Sequence, residues 1–141
     1  MNTKQKAYKI AKEQMYDNDA FSQWLGIEII ELDAGKAVLQ MTVRKEMTNG
    51  FDIAHGGITY SLADSALAFA ANAYGRKSVS VETSISHTIP VKTGDQITAT
   101  AIEDSLSNKI GIYRIVIKNQ ENKTVALFKG TVYRTSQEWD N

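Results

Sequence analysis

The sequence predicts an α+β fold in which an antiparallel β-sheet wraps around one long central helix. Three observations carry this expectation. From Ile58 to Tyr74 the chain runs without Gly or Pro and is built largely of Leu62, Ala63, Ala66, Leu67, Ala68, Phe69, Ala70 and Ala71, good helix formers or apolar fillers. β-rich segments flank this stretch, two before and four after, with no helical segment between the late ones to make parallel crossovers. The helix is also apolar nearly all round, with Ile58, Leu62, Ala66 and Phe69 on one stripe and Leu67, Ala70 and Ala71 elsewhere. A sheet on one side cannot cover all of it, which points to a partner subunit on the other.

Each element has a local reason. Lys4 to Tyr16 reads as helix, and Asp19 is placed to cap a short turn through Phe21, Trp24 and Leu25 that Gly26 stops, giving an N-terminal helical region over about 4–25. Ile27–Leu32 and Lys36–Val43 are β-rich and joined by Asp33-Ala34-Gly35, a hairpin signal. The long helix starts at Gly56, and Gly75 stands where a helix-ending glycine belongs. Ser78 to Ile89 alternates, with Val79, Val81, Ile85 and Ile89 on one side and Ser80, Glu82, Ser84 and Ser86 on the other. Pro90 and Gly94 end it. Gln96–Ile102, Ile110–Lys118 and Val125–Thr135 supply three further strands, and the tail from Ser136 is expected to fray.

The 141 residues fit a single domain, 1–141, with no linker to divide it. Sixteen Lys and Arg cancel sixteen Asp and Glu, so no overall field draws the protein to nucleic acid or an anionic membrane. The absence of cysteine excludes disulfides, thiolate metal sites and a Cys nucleophile. The first residues lack the apolar core of a signal peptide and no uncharged run can span a bilayer, so a cytoplasmic protein is expected. Two histidines without HxxxH spacing argue against a metal site. No GxSxG, GxxxxGK or GxGxxG occurs.

Chemistry concentrates between Asn49 and Tyr74. Asp64 is the only charged residue of the central helix, set among apolar neighbours, where a carboxylate needs a reason. The pattern Asn49, His55-Gly56-Gly57, Asp64, with Ala63-Asp64-Ser65-Ala66, resembles the hotdog-fold acyl-CoA thioesterases, specifically the phenylacetic-acid-degradation (PaaI/PaaD) branch. The likeness covers most of the chain, including Leu25-Gly26-Ile27, Met41-Thr42-Val43, Asn72, Pro90, Gly94-Asp95 and Ala126-Leu127-Phe128-Lys129-Gly130. Two positions depart from it: Gly50-Phe51-Asp52 replaces the usual Gly-His-Gly, and His87 stands where relatives often have Phe. Both lie where an acyl group is expected and bear on the substrate more than on the reaction.

The resemblance implies hydrolysis of an acyl-CoA, aryl-acetyl or another short to medium chain, with coenzyme A thioester as substrate and no cofactor. It gives Gly56 the oxyanion-binding amide and Asp64 the part of nucleophile or general base on water. It places Asn49 and His55 beside Gly56, and sets Ser80 with Asp64 to hold the water. Physical chemistry runs the same way. If the helix starts at Gly56, its first N–H groups are free at the positive dipole end, and stabilising a developing oxyanion there is typically worth about 3 kcal/mol. On one helix, however, Gly56 and Asp64 lie about 12 Å apart along the axis. They cannot both touch one thioester carbon, so the glycine amide and the carboxylate must come from different chains of a two-fold dimer. The resemblance implies the same dimer, often paired into a homotetramer.

Each residue also has a plainer reading. His55 can be a structural histidine bonding a loop carbonyl, Gly56-Gly57 a tight turn, Asn49-Gly50 an ordinary turn, Ser80 a solvated hydroxyl, and His87 a histidine in or near the core. Phe21, Trp24 and Leu25 read as core. Two other functions stay open on this fold: a non-catalytic acyl-CoA-binding module, which an intact Asp64 argues against, and an enoyl-CoA hydratase or dehydratase, which would release no thiol.

Overall fold

The computed structural model describes residues 1–140. An N-terminal helical segment begins as α1 (Thr3–Ala7), continues as a π-helical stretch from Tyr8 to Met15 and a short turn over Tyr16–Asn18, and ends in α2 (Ala20–Leu25). Six strands follow, β1 (Glu28–Asp33), β2 (Lys36–Thr42), β3 (Arg76–His87), β4 (Gln96–Leu106), β5 (Ile110–Lys118) and β6 (Thr124–Glu138), with the central helix α3 (Gly56–Asn72) between β2 and β3. All neighbouring strands pair antiparallel, in the order β1-β2-β4-β5-β6-β3.

Local signals act as expected at several boundaries. Asp19 caps α2 by accepting from the Ser22 amide at 3.0 Å, and Gly26 ends it in the left-handed conformation. Gly35 turns the β1–β2 hairpin at φ 71°.

The sheet curls around α3, burying Leu62, Ala63, Ala66, Leu67, Phe69 and Ala70 against Leu39, Ile97, Tyr113, Ile115 and Phe128. Each large apolar side chain buried this way contributes about 1.5–3 kcal/mol. The closest approach is at Gly130 of β6, where an added Cβ would lie 2.5 Å from a Leu67 methyl, so only glycine lets helix and strand meet there. The side of α3 away from the sheet is covered within the same chain: Ala7, Ala11 and Leu25 are fully buried, and Tyr16 packs edge-on against Phe69. Helix apolarity by itself therefore does not demand a partner. Exposed Gly57 and half-buried Ser61, Asp64 and Ala68 form one stripe of α3 at helical spacing.

Two corrections concern β3 and the tail. A bulge between Ser80 and Glu82 inserts one extra residue, so the alternation changes phase within the strand. Before it, Ser78 and Ser80 line a cavity with α3 side chains. Beyond it Thr83 bonds Tyr60 of α3, His87 bonds Thr59, and Ile85 packs on the core. Val79 and Val81, which simple alternation groups with Ile85, are 56% and 60% exposed. The tail is held rather than frayed: β6 runs through Glu138, the Trp139 amide donates to the Gly75 carbonyl and its indole N–H donates to Asn72. Asn72 itself is buried and makes four hydrogen bonds, tying the end of α3 to β3 and to the tail.

Candidate active site

The first half of α3 carries two distinct sets of polar groups. At its N-terminus His55 takes the capping position with an extended ψ of 141°, its amide donating to the Met47 carbonyl and its carbonyl accepting from Ile58. Its imidazole does not cap the helix. Among the described residues the Gly56 and Gly57 amides find no carbonyl partner, as the geometry of a helix start requires, and both residues are exposed. The positive end of the dipole thus lies beside a pocket of about 300 Å³ lined by Asn49, Gly56, Thr59, His87, Ile89 and Val91. Asn49 does form a turn: its side-chain oxygen accepts from the Phe51 amide at 2.9 Å, and Asp52 closes the loop with a positive φ of 62°. That leaves the side-chain NH₂ group of Asn49 for the pocket it lines.

A little over two turns along α3, Asp64 shares a separate cavity of about 240 Å³ with Leu67, Ala68, Ser78, Ser80 and Val132. It is half-buried, and burial raises its carboxyl above the usual range, with the negative charge of Asp19 acting in the same direction. Among the described residues no donor or cation offsets this, since Asp64 makes neither a hydrogen bond nor an ion pair there. Asp19 is held in place by Ser22, whose hydroxyl donates to it at 2.6 Å and also meets the Ser65 hydroxyl at 2.8 Å. A desolvated carboxylate without partners is a stronger base than one in water.

The fold accordingly brings Asn49 and Gly56 together, and separately Asp64 and Ser80. The His55 backbone belongs to the first group while its exposed ring lines neither cavity. A larger cleft of about 580 Å³ between the N-terminal segment and β1 holds none of these residues. Sequence reasoning placed His87 in or near the core. It faces α3 yet is exposed, and its Nε2 lies 3.2 Å from where a Gly56 Cβ would be. A side chain at position 56 would press on this imidazole. Thr59, which bonds His87, was not singled out, although its place one turn after the glycines was available as a signal.

A single helix buried in a curled antiparallel sheet, with free amides at its start and a lone carboxylate further on, is an arrangement suited to hydrolysing an activated carbonyl. The chain belongs to the thioesterase superfamily, whose family model matches residues 51–126, and has its hotdog fold. It is 46% identical over 120 residues to acyl-coenzyme A thioesterase PaaI of Escherichia coli, spanning 85% of this chain and 86% of that protein. The structure of the E. coli PaaI protein superposes with a TM-score of 0.94 at 42% identity, covering 97% of this chain and 99% of the other. The N33D mutant of phenylacetic acid degradation protein PaaI from Thermus thermophilus gives 0.80 at 37% identity, over 83% and 100% of the two chains. The chain is thus an acyl-CoA thioesterase of the PaaI-like branch. No helix among the described residues is long and apolar enough to cross a membrane.

Proposed function

We propose that this thioesterase hydrolyses an aryl-acetyl-CoA, or another short to medium acyl-CoA, at a site shared between two chains and without a cofactor. The Gly56 amide of one chain receives the thioester oxygen, with Asn49 and the His55 loop holding that end. Asp64 of the other chain acts either as general base, taking a proton from the water that attacks the carbonyl carbon, or as nucleophile, forming a mixed anhydride that water then opens. Ser80 accompanies it and orients the water. In both routes the C–S bond breaks and the coenzyme A thiolate leaves and takes up a proton.

The observation that carries this reading is the separation of the two sets of groups: eight residues along one straight helix place them about 12 Å apart, in different cavities. The form of the sheet supports a second copy as the missing half. The β1 edge is flanked by the N-terminal segment, whereas β3 forms the other edge, twelve residues long and mostly exposed, with Val79 and Val81 uncovered. Such an edge invites pairing with its own copy. A two-fold axis between Thr83 and Ser84 would set Ser80 of one chain across from His87 of the other and bring Asp64 toward the partner's Gly56. Two such dimers would make the homotetramer.

The test is thiol release on a panel of aromatic and aliphatic acyl-CoA esters, with Asp64→Ala beside the wild type. Release that fails in D64A, with aromatic esters leading, is the expected result. Binding of esters without turnover, or product formed without free thiol, would overturn it.

A further inference from the structure

We propose that His87 is a positioning residue for the oxyanion end of the site, acting through Thr59 on the peptide that joins Gly56 to Gly57. The inference rests on the reading that the start of α3 receives the thioester oxygen. Its basis is proton counting. The Thr59 hydroxyl has one proton and two neighbours able to accept it, the Gly56 carbonyl at 3.1 Å and His87 Nδ1 at 3.2 Å, and we assign it to the carbonyl. The contact between that hydroxyl and His87 Nδ1, at 3.2 Å, must then be one in which Nδ1–H donates and the hydroxyl oxygen accepts. On this assignment the ring carries a proton on Nδ1.

The chain of bonds ends on a particular peptide. The Gly56 carbonyl and the Gly57 N–H are two ends of one planar unit. A donor on the carbonyl holds that plane and with it the ψ of Gly56, the residue whose own N–H meets the pocket. Within α3 this carbonyl also accepts the helix's own backbone bond, so Thr59 adds a second donor to the first peptide of the helix, whose two residues are both glycine. His87 reaches this peptide from β3, the strand beyond the bulge, and its ring edge rests against Gly56. Thr59 is 3% exposed, so the relay runs inside the protein, while the imidazole stays exposed at the pocket mouth. Burial of apolar surface does not account for such a ring. Its contacts at the start of α3 do.

Three variants separate this role from simple packing. His87→Phe keeps a planar ring against Gly56 and removes the donor, His87→Asn puts an amide N–H near the place of Nδ1, and Thr59→Val removes the link. On the best ester of the panel, H87F and T59V are expected to lower kcat by roughly ten- to a hundredfold, the size of effect that small misplacement of a reacting group produces. KM should move less than about twofold, H87N should recover most of kcat, and H87F/T59V should be no slower than T59V, since both act through one relay. Thermal melts confirm that each variant is folded. A long-range ¹H–¹⁵N spectrum of the wild type should show the proton on Nδ1. Wild-type kcat in H87F with a slow T59V, additive losses in the double variant, or a proton on Nε2 overturns the role of His87. Unchanged kcat in both H87F and T59V likewise overturns it, whereas a Gly56→Pro chain that keeps wild-type kcat removes the oxyanion reading on which it rests.

Discussion

The sharpest consequence of the two separated half-sites is that inactive chains should repair one another. Gly56→Pro deletes the Gly56 N–H with little change of backbone. His55 already has the extended ψ of 141° that a following proline prefers, and the first helical position suits proline. The new ring would press on the His87 imidazole, 3.2 Å from the added Cβ, at the far end of a side chain. Loss of an oxyanion donor should lower kcat by about a hundredfold or more, and Asp64→Asn removes the base or nucleophile. In a dimer with sites built across the two-fold, a mixed pair of G56P and D64N chains has one site with both lesions and one with neither. After random exchange at equal concentration, half the dimers are mixed, so activity should rise to about a quarter of wild type. The assay is thiol release before and after exchange, with mixed dimers counted by native mass spectrometry. If they form and activity stays at the mean of the two parents, the amide and the carboxylate act within one chain and the mechanism is wrong. A monomer in sedimentation experiments that still turns over would refute it equally.

Other outcomes follow from the same geometry. Burial and Asp19 raise the carboxyl of Asp64, so kcat should fall as pH drops through a midpoint above the ordinary carboxylate range, and Asp19→Asn should move that midpoint down. The native chain then holds the Asp64 proton to higher pH than the unfolded chain. Stability is therefore lost as pH rises between the two midpoints, and D64N should melt higher than wild type at neutral pH while being inactive. Gly130→Ala forces a Cβ within 2.5 Å of Leu67 and should destabilise by about 1–3 kcal/mol in urea unfolding. Asn72→Leu leaves the Ser78 amide and the Trp139 indole without their acceptor and should remove about 2–4 kcal/mol, with Trp139 fluorescence moving toward that of an exposed indole.

The elements legible in the sequence were those whose cause is local. Asp19 and Gly26 bracket α2 through their own backbone preferences, Gly35 turns a hairpin, and the alanine- and leucine-rich run can only be a buried helix. Asp64 stood out because a charge among apolar residues is costly wherever the helix packs. What escaped depends on distant parts of the chain. The bulge in β3 is set by pairing with β6, the cover on the far side of α3 by how the N-terminal segment folds back, and the order in the tail by Asn72 and Gln14, whose side chain exchanges hydrogen bonds with the Asp140 backbone. Val79 and Val81 point outward for this reason, while His87 keeps the phase of Ile85 and faces α3. A period of two extrapolated through Val81 says which valines share its side but not that an extra residue intervenes.

That extra residue has a consequence for how the enzyme can diversify. The strand contributes Ser78 and Ser80 to the carboxylate cavity, and Thr83, Ile85 and His87 to the stretch leading to the amide pocket. An unbroken strand would oblige all of these to obey one alternation, so a slip in register at one end would overturn the facing of the other. The bulge acts as a joint between two short segments, each with its own alternation. Substitutions past it can recast the surface that meets the acyl group while the serines beside Asp64 keep their orientation. New acyl preferences can then be tried on one side of the strand without rebuilding the chemistry on the other.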